Sequence, residues 1–338
     1  MKIIIDAMGG DNAPGEIVKG AVEAHKTFGH EIVLVGKEDA VRACLQAEGA
    51  EHLLGISVVH ASDVIDMNDE PTAAIRRKKD SSMVVALNML KRGEGDAVVS
   101  AGSTGALLTG ATLLVRRIKG VRRACLAPVV PNANEGFVLI DAGANAECVA
   151  EQLVQFAYMG SLYAEKVLGF SKPRVALLNN GAEEHKGTPM HQETWQLLQK
   201  AEGLNFVGNV EGSGVLNGDV DVVVADGFSG NILLKSIEGT AKFILKMFKD
   251  VIYSSLKNKV AGLLIQKDMN AVKSKLDPNN VGGTALLGIS KPVIKAHGSS
   301  TAPAIVNAVR QAAAFVEADF IQTIEDNMEN MCVNGAQE

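Results

Sequence analysis

The chain has 338 residues, 47% of them hydrophobic, and its 33 Lys and Arg against 39 Asp and Glu give a formal net charge of −6. This balance argues against a broad nucleic-acid-binding face, which needs clustered basic residues, so no nucleic-acid partner is expected. Only 4% of the residues are aromatic and 34 are glycine. This composition suits helices packed on a parallel sheet better than a β-sandwich.

The start of the chain and its cysteines bear on its compartment. Met1 leads directly into a strand-like run at 2–6, without the features of a secretory signal. No segment reaches the roughly 18 uninterrupted apolar residues of a spanning helix. The chain has four scattered cysteines without a CxxC pair, namely Cys44, Cys125, Cys148 and Cys332. We therefore expect a cytoplasmic protein with idle thiols and no metal site, which can still lie on a membrane surface.

Short apolar runs alternate with helical patterns along the chain. The runs lie at 3–5, 32–35, 56–59, 97–99, 175–178 and 222–224, and the helical stretches at 14–28, 37–49, 82–92, 103–116, 149–168, 188–202, 229–275 and 301–330. Near-continuous Val, Ile and Leu runs are typical of strands buried on both faces, and their alternation with helices predicts right-handed βαβ units.

Residues 124–140 break this rhythm. Apolar stretches at 125–130 and 137–140 flank a polar turn at 131–134, which predicts an antiparallel hairpin added to a mainly parallel sheet. No linker, low-complexity tract or repeat interrupts the chain. We expect one compact α/β unit over 1–338 that carries a protruding helical excursion at about 237–275.

The turns that follow the strands are the candidate ligand site, because open α/β sheets bind ligands outside the carboxyl ends of their strands. These turns lie at 6–14, 100–106, 141–145, 179–189, 225–231 and 295–300. Six turns at one edge of one sheet would converge on a common crevice. Apart from the residues discussed next, the binding candidates on them are Asp6, Gly9, Gly10, Asp11, Asn12, Asp141, Asn145, Asp226, Ser229 and Ser299.

The turn at 100–106 predicts an anion site. Small residues and hydroxyls precede a helix there, and the candidates are Ser100, Gly102, Ser103, Thr104 and Gly105. Backbone N–H groups at a helix start, the helix dipole and hydroxyl groups together bind phosphate. The turn is neither a Walker A loop nor a GxGxxG motif, and helix capping alone is the alternative.

Two histidines and a lysine lie on other turns. His185 and Lys186 are adjacent in the loop at 179–189, where they suit acid–base work or charge stabilisation unless the loop is merely solvated. His297 stands beside Gly298 and two serines and could bind an anion or position a leaving group, although a lone histidine often only packs. With Asn231, these residues favour phosphoryl or acyl chemistry through positioning and oxyanion stabilisation.

The excursion at 237–275 is amphipathic. An apolar stripe runs through 243–252, and Leu256, Val260, Leu263 and Leu264 recur at helical spacing with lysines beside them. A helical hairpin at a dimer interface is one interpretation. The other is a tip that inserts shallowly into an anionic bilayer, and both can hold at once.

Four of these motifs, at 5–14, 100–106, 226–231 and 295–300, resemble the signatures of the bacterial phosphate acyltransferase family of phospholipid synthesis, and the loop at 183–187 is similar but looser. The resemblance covers essentially the whole chain. It implies a Rossmann-like three-layer α/β/α sandwich, like the phosphotransacetylases and isopropylmalate dehydrogenases. It also implies transfer of a long acyl chain from acyl carrier protein to inorganic phosphate without a cofactor. The resemblance further implies a homodimer, peripheral membrane contact and a downstream glycerol-3-phosphate acyltransferase that uses the acyl phosphate.

The resemblance also suggests roles for residues. Ser103 and Thr104 would cradle phosphate, and Lys186 would add positive charge at the phosphate or the developing oxyanion. Asn231 and His297 would hydrogen-bond the carbonyl oxygen or the departing thiol, while Asp11 and Asn12 would order the first turn. Direct attack by phosphate is the expected route, and a transiently acylated Lys186 stays open.

Three other functions compete with this interpretation. A short-chain phosphotransacetylase fits the same turns, although the apolar excursion favours a long acyl chain. A nicotinamide-dependent dehydrogenase would need a GxGxxG motif, which the chain lacks. A non-catalytic membrane scaffold would leave the polar turns without a purpose. For the acidic carrier we expect a basic docking patch, with candidates among residues 76–79 or among Arg116, Arg117, Lys119, Arg122 and Arg123.

Overall fold

The computed structural model describes residues 1–276 and 282–331, so Cys332 lies outside the described residues. The strands are β1 (Lys2–Asp6), β2 (Glu31–Gly36), β3 (Ile56–His60), β4 (Ala97–Ser100), β5 (Cys125–Ala127), β6 (Val129–Val130), β7 (Phe137–Ile140), β8 (Arg174–Asn179), β9 (Asn205–Glu211), β10 (Val222–Val224), β11 (Thr284–Leu287) and β12 (Val293–Lys295).

The α-helices are α1 (Gly15–Phe28), α2 (Glu38–Ala47), α3 (Pro71–Arg77), α4 (Ser82–Arg92), α5 (Thr104–Gly110), α6 (Ala150–Lys166), α7 (Pro189–Gln199), α8 (Gly227–Tyr253), α9 (Leu256–Leu264), α10 (Gln266–Leu276), α11 (Ala302–Glu317), α12 (Phe320–Asp326) and α13 (Met328–Met331). A π-helix at Ala111–Val115 continues α5, and a 3₁₀ turn at Val215–Asn217 precedes β10. The predicted helix at 301–330 is therefore three helices.

The strands form two sheets, so the expectation of a single sheet edge is wrong. One sheet has the order β3-β2-β1-β4-β12-β11-β5, and the other has the order β6-β7-β10-β8-β9. In the first sheet β11 pairs antiparallel with β12 and β5, and in the second β6 pairs antiparallel with β7; the other pairings are parallel. The predicted α/β class with mainly parallel strands is confirmed.

The chain passes from the first sheet to the second at Pro128. Cys125–Ala127 pairs with β11 of the first sheet, whereas Val129–Val130 pairs with β7 of the second. Proline has no N–H group to donate to a ladder, so it suits a break between two strands. The predicted hairpin at 124–140 is thus only partly correct, because its first arm is divided between the sheets.

Local sequence explains why the strands are buried. Ile3, Ile4 and Ile5 of β1 are all at most 1% exposed, because helices cover both faces of the first sheet. Helix α1 packs closely on α11, where a Cβ at Gly20 would lie 2.6 Å from the carbonyl oxygen of Ala302. Helices α1 and α11, which come from near the two ends of the described chain, therefore pack together beside β1.

Two strands and one helix do not follow the predicted pattern. Strand β9 is only partly buried and carries polar residues, so it lacks the apolar run of its neighbours. Strand β11 spans four residues, and helix α3 spans seven with Glu70 as its N-cap. Such short or mixed-polarity segments give little periodicity to detect.

The helical excursion is present, but it is not one helix. Helix α8 ends at Tyr253, and α9 begins after Ser255, whose hydroxyl accepts the Asn258 N–H at 3.1 Å. Gly262 lets α9 lie against α8, since a Cβ there would be 2.5 Å from Cγ2 of Ile252. No residue of α9 is buried. Within the described ranges, no helix is long and apolar enough to cross a bilayer.

Candidate active site

The turns after β1 and β4 are joined by a buried carboxylate. The Ser100 hydroxyl donates to Oδ2 of Asp6 at 2.6 Å, and the Gly102 N–H donates to Oγ of Ser100 at 3.1 Å. A Cβ at Gly9 would lie 2.6 Å from both Oδ2 of Asp6 and the Gly102 nitrogen. Burial raises the pKa of Asp6, while the hydrogen bond from Ser100 opposes that rise. Asp6, Gly9, Ser100 and Gly102 therefore form one packed unit.

The turn after β12 locks onto the first turn. The Asp11 N–H donates to the Gly298 carbonyl oxygen at 2.8 Å, and Nδ2 of Asn12 donates to the carbonyl oxygens of Ser299 and Ser300 at 3.2 and 3.1 Å. Gly10 has a φ of 103° and approaches the Gly298 oxygen so closely that a Cβ would lie 2.9 Å from it. The Asp11 N–H and the Asn12 side chain thus tie the first turn to the turn after β12.

The start of α5 carries the predicted phosphate turn. Ser103 is 7% exposed and is the N-cap, with its Oγ accepting the Ala106 N–H at 3.4 Å. Thr104 is exposed and opens the helix. Gly105 faces α3, since a Cβ there would lie 2.9 Å from Cγ of Pro71. Helix capping and an anion-binding helix start are therefore both compatible with this turn.

The turn after β7 in the second sheet is fixed by Asp141, which is fully buried. Its carboxylate accepts five N–H donors: the backbone groups of Leu126, Gly143, Ala144 and Asn145, and Nδ2 of Asn145. Burial raises the pKa of Asp141 and these donors oppose the rise. Asp141 and Asn145 therefore act on the backbone of the turn.

The turn after β10 places the start of α8 against the turn that follows β7. Oδ1 of Asp226 accepts the Ser229 N–H at 2.9 Å and its Oδ2 accepts the Ser229 hydroxyl at 2.8 Å, which caps the helix. A Cβ at Gly230 would lie 2.0 Å from the Asp141 carbonyl oxygen. This contact sets Asn231 beside Gly143, where a Cβ would lie 3.4 Å from Cβ of Asn231.

A cavity of 780 Å³ lies where these turns from the two sheets meet, within the range of about 300–1,000 Å³ usual for small-molecule sites. Its polar side chains come from α5, α8, β11, β12 and the turn after β12: Thr104, Asn231, Lys235, Ser236, Glu238, Thr240, Thr284, Lys295 and His297. Three of the predicted site residues, Thr104, Asn231 and His297, are thus brought together in one cavity.

The rest of the cavity wall is mostly apolar. It is formed by the segment around Pro128, by the 3₁₀ turn and by the first half of α8, through Leu126, Pro128, Val129, Val130, Pro131, Leu216, Leu233, Leu234, Ile237, Ala241 and Ile244. Such a cavity combines one group of charged and amide side chains with a long hydrocarbon-like surface. It suits a ligand with a reactive polar end and an apolar chain.

Lys295 is a cavity residue that sequence reasoning did not single out. It is 7% exposed, and its ammonium group donates to the carbonyl oxygens of Ala101 and Ala296. Burial lowers its pKa to about 8, while the carboxylates of Asp6 and Asp11 oppose the shift. The only sequence signal is a lysine that ends an apolar run. A buried, cationic lysine in a cavity is a typical functional group.

The ring of His297 is oriented by Ser299. The Ser299 N–H points at Nδ1 from 3.3 Å, and the Ser299 hydroxyl lies 2.9 Å from the same nitrogen. Nδ1 is then the acceptor and the neutral ring carries its proton on Nε2. Burial lowers the pKa of His297, and the nearby charges of Lys295 and Lys235 lower it further. His297 is therefore a neutral group at pH 7.

His185 and Lys186 do not line this cavity. They lie in the loop after β8, where Gln192 donates to the His185 carbonyl oxygen at 2.7 Å and Asn179 donates to that of Lys186 at 3.2 Å. The loop shares the carboxyl edge of the second sheet with Asp226. Lys186 is half-buried over Gly181.

Neither a thiolate nor a metal ligand set is found at these turns. Burial raises the pKa of Cys148 to about 11 and holds the pKa of Cys125 well above its ordinary value, so both are thiols at neutral pH. Across residues 1–276 and 282–331, no three His, Cys, Asp or Glu side chains gather in a way that could hold a metal ion.

Comparison with known proteins gives matches over nearly the whole chain. The family model described as fatty acid synthesis protein matches residues 1–323. A curated phosphate acyltransferase of Thermoanaerobacter pseudethanolicus is 48% identical over 332 residues, covering 98% of each chain. A phosphate acyltransferase of Oceanobacillus iheyensis is 46% identical over 335 residues, again covering 98% of each.

Solved structures are similar in fold at much lower identity. A phosphotransacetylase of Streptococcus pyogenes superposes with a TM-score of 0.62 at 18% identity, covering 95% of this chain and 94% of that one. A 4-hydroxythreonine-4-phosphate dehydrogenase of Klebsiella pneumoniae gives a TM-score of 0.53 at 15% identity, covering 94% and 98%. The predicted likeness to the phosphotransacetylase fold is confirmed.

Proposed function

The chain belongs to the fatty acid synthesis protein family, whose members include its phosphate acyltransferase relatives, and on this premise we propose that it transfers a long-chain acyl group from acyl carrier protein to inorganic phosphate. The observation that carries the proposal is that one cavity has Lys295, His297 and Asn231 at its polar end and an apolar wall along α8. A thioester carbonyl and a phosphate fit the first part, and an acyl chain fits the second.

The reaction is a direct displacement at the thioester carbonyl. An oxygen of hydrogenphosphate attacks the carbonyl carbon, the new C–O bond forms, and the C–S bond breaks with its electron pair going to sulfur. The proton carried by phosphate ends on the departing thiolate. The products are acyl phosphate and the free thiol of the carrier, so no oxidant, reductant or metal is needed to balance the step.

The cavity residues take separate roles in this step. Cationic Lys295 binds the phosphate and stabilises the negative charge that develops on the carbonyl oxygen. Neutral His297 donates a hydrogen bond from Nε2 to the departing sulfur, because Ser299 occupies Nδ1 and the lowered pKa keeps the ring uncharged. Asn231 donates to the carbonyl oxygen. Thr104 and the first N–H groups of α5 complete the phosphate cradle.

Lys186 keeps a proposed role at the edge of the site. Its loop follows β8, whose carboxyl end lies on the same sheet edge as the turns that line the cavity. We propose that it adds positive potential for an incoming anion. The acyl-lysine route is less supported than direct attack, since Lys186 does not line the cavity.

The helical excursion supports a peripheral location on the cytoplasmic face of a membrane. Leu256, Leu263 and Leu264 at its end are 80%, 71% and 82% exposed, and Val260 between them is 55% exposed. Exposed leucines with lysines on the same helices bind anionic bilayer surfaces. There the acyl phosphate would pass to a glycerol-3-phosphate acyltransferase. The exposed stripe of α8, which includes Phe243 and Phe248, would pack a second copy in a homodimer.

The competing functions have less support. A short-chain phosphotransacetylase would not need an apolar wall that runs from Leu233 to Ile244, and the relatives at 46–48% identity are phosphate acyltransferases. A scaffold without activity would not need a buried lysine in the cavity. We therefore favour the long-chain acyltransferase.

The test is a turnover assay with purified protein. Long-chain acyl carrier protein should be consumed only when inorganic phosphate is present, and hydroxylamine should trap an acyl phosphate. Acetyl-CoA in the same assay should react much more slowly. Release of free thiol without phosphate would contradict the proposal, as would a preference for acetyl-CoA.

A further inference from the structure

A second cavity, of 660 Å³, is lined by four arginines that we call the arginine pocket: Arg76, Arg117, Arg122 and Arg123. They come from α3 and from the segment between the π-helix and β5, so the fold brings together the two basic runs that the sequence shows separately. Thr72, Thr109, Thr112, Asn145 and Gln152 also line the pocket. These side chains can donate hydrogen bonds to carboxylates and phosphates.

The positive charge of the arginine pocket is poorly balanced by the protein itself. None of the residues that line it is acidic. Arg122 has one ion pair, at 3.9 Å from Glu151, and in the described part of the chain no ion pair within 4.0 Å involves Arg76, Arg117 or Arg123. Four like charges in one concavity repel one another, although the chain as a whole carries a net charge of −6. An anionic partner would relieve this repulsion.

The arginine pocket adjoins the active-site cavity. Gly143 lines the active-site cavity and Ala144, the next residue, lines the arginine pocket. Helix α5 likewise contributes Thr104 to the first cavity and Leu108, one turn later, to the second. The two cavities thus lie on either side of the turn that Asp141 fixes. A molecule held in the arginine pocket would be next to the reacting groups.

We propose that the arginine pocket docks the acidic surface of the carrier protein that delivers the acyl thioester. This inference rests on the proposed function, since it names where the donor of that reaction binds. The guanidinium fork pairs with carboxylates in a bidentate way, and complementary charge at an interface raises the association rate. A lipid surface would instead meet the lysine-bearing excursion, which is a different part of the molecule.

The test compares two double variants that each lose two positive charges, one variant inside the arginine pocket and the other outside it. In the double variant Arg117→Gln, Arg123→Gln, the KM for acyl carrier protein should rise about tenfold at low salt, because electrostatic steering is lost. The kcat should not change. The matched control is Arg77→Gln, Arg116→Gln, whose residues are sequence neighbours of pocket residues but do not line the pocket. The control should keep the wild-type KM.

Three further results would overturn the inference. One is an unchanged KM for the carrier in the pocket variant, and another is an equal rise in the control variant. The third is an equal rise in KM when the same acyl group is carried by a small uncharged thioester or by coenzyme A, since the pocket would then not recognise the carrier surface. Failure of the proposed function would look different, because the wild-type protein would form no acyl phosphate from any donor.

Discussion

The side chains of Ser100 and Asp6 join the ends of the neighbouring strands β4 and β1 through a buried hydrogen bond of 2.6 Å. Asp6 is 1% exposed, so its carboxylate has no water to replace a lost donor. We expect Ser100→Ala to lower the free energy of unfolding by about 1–3 kcal/mol, the cost of leaving a buried acceptor without its partner.

Urea denaturation of the two proteins measures this change. Ser254→Ala is the control, because its hydroxyl makes only exposed hydrogen bonds, donating to the Val251 carbonyl oxygen and accepting from Nδ2 of Asn258. It should stay within about 0.5 kcal/mol of wild type. Equal losses in the two variants would show that the contact with Asp6 is not special.

Lys295→Met should lower the activity without lowering the stability of the fold. Loss of the ammonium should lower kcat by about 10²–10³-fold, as removal of a group that stabilises an oxyanion does. The pKa of Lys295 is about 8 in the folded protein against an ordinary value of 10.5. The charged form is therefore disfavoured by folding, and this cost is fully present below pH 8 and disappears as the pH rises towards 10.5.

The variant should accordingly be no less stable than wild type at pH 7, and up to about 3 kcal/mol more stable. Denaturation and turnover measured on the same preparation check both parts. Lys186→Ala should reduce turnover less than Lys295→Met, because Lys186 lies outside the cavity lining. A large loss in Lys186→Ala with a small one in Lys295→Met would reverse these two roles.

The pH dependence of kcat/KM for phosphate should be bell-shaped. On the acid side the rate should fall as the attacking hydrogenphosphate gains a proton. Burial lowers the pKa of His297 below its ordinary 6.5, so protonation of this ring should add to the fall only below that value. On the alkaline side it should fall near pH 8, as Lys295 loses its proton.

His297→Gln should leave only the titration of phosphate on the acid side, and Lys295→Arg should move the alkaline limb well above pH 10, since a guanidinium stays charged there. Phosphate itself titrates in the same way in every variant, so the comparison with wild type isolates the protein groups. An alkaline limb that stays near pH 8 in Lys295→Arg would exclude Lys295 as its source.

Alanine substitutions at two glycines of α8 should change the free energy of unfolding in opposite directions. A Cβ at Gly230 would lie 2.0 Å from the Asp141 carbonyl oxygen, whereas one at Gly239 would meet no atom within 4 Å. Gly230→Ala should cost at least about 3 kcal/mol of unfolding free energy through overpacking. Gly239→Ala should gain about 0.5–1 kcal/mol from the lower entropy of the unfolded chain.

Thermal melts of both variants test the pair. A stabilising Gly230→Ala would mean that the start of α8 can move away from the turn after β7. Because that contact positions Asn231, we also expect Gly230→Ala, but not Gly239→Ala, to slow turnover.

Membrane binding should depend on the end of the excursion. The double variant Leu263→Asp, Leu264→Asp should reduce flotation with phosphatidylglycerol vesicles at least tenfold, since burial of each leucine contributes about 1.5–3 kcal/mol. Both side chains are highly exposed, at 71% and 82%, so the melting temperature should not change. Leu54→Asp is the control, because Leu54 is 89% exposed on a loop far along the sequence from α9. Equal binding by the two variants would contradict the proposed tip.

The ends of the strands were predictable because their signals are local. Asp6, Ser100 and Asp226 each follow an apolar run and precede a helix, and all three lie at strand-to-helix turns in the structure. Helix caps, glycines and the change of periodicity occupy a few consecutive residues, so the sequence displays them directly. The resemblance then supplied the function that we propose for these turns.

Features that depend on distant pairing were not predictable in this way. Lys295 looked like the polar end of a strand, and its burial follows from the insertion of β12 between β4 and β11. The division of residues 125–130 between two sheets depends in the same way on which strands they meet. Register and neighbour choice are set by contacts across hundreds of residues, which a periodic pattern does not encode.

The place of β11 and β12 in the first sheet has a consequence for synthesis. These strands fill the space between β4 and β5, which leave the ribosome about 160 to 200 residues earlier. Until then the facing edges of β4 and β5 have unpaired backbone groups, a state that favours aggregation. By the proposed role of Lys295, such a nascent chain is also inactive until β12 is made, so the strand that supplies the buried cation also completes the first sheet.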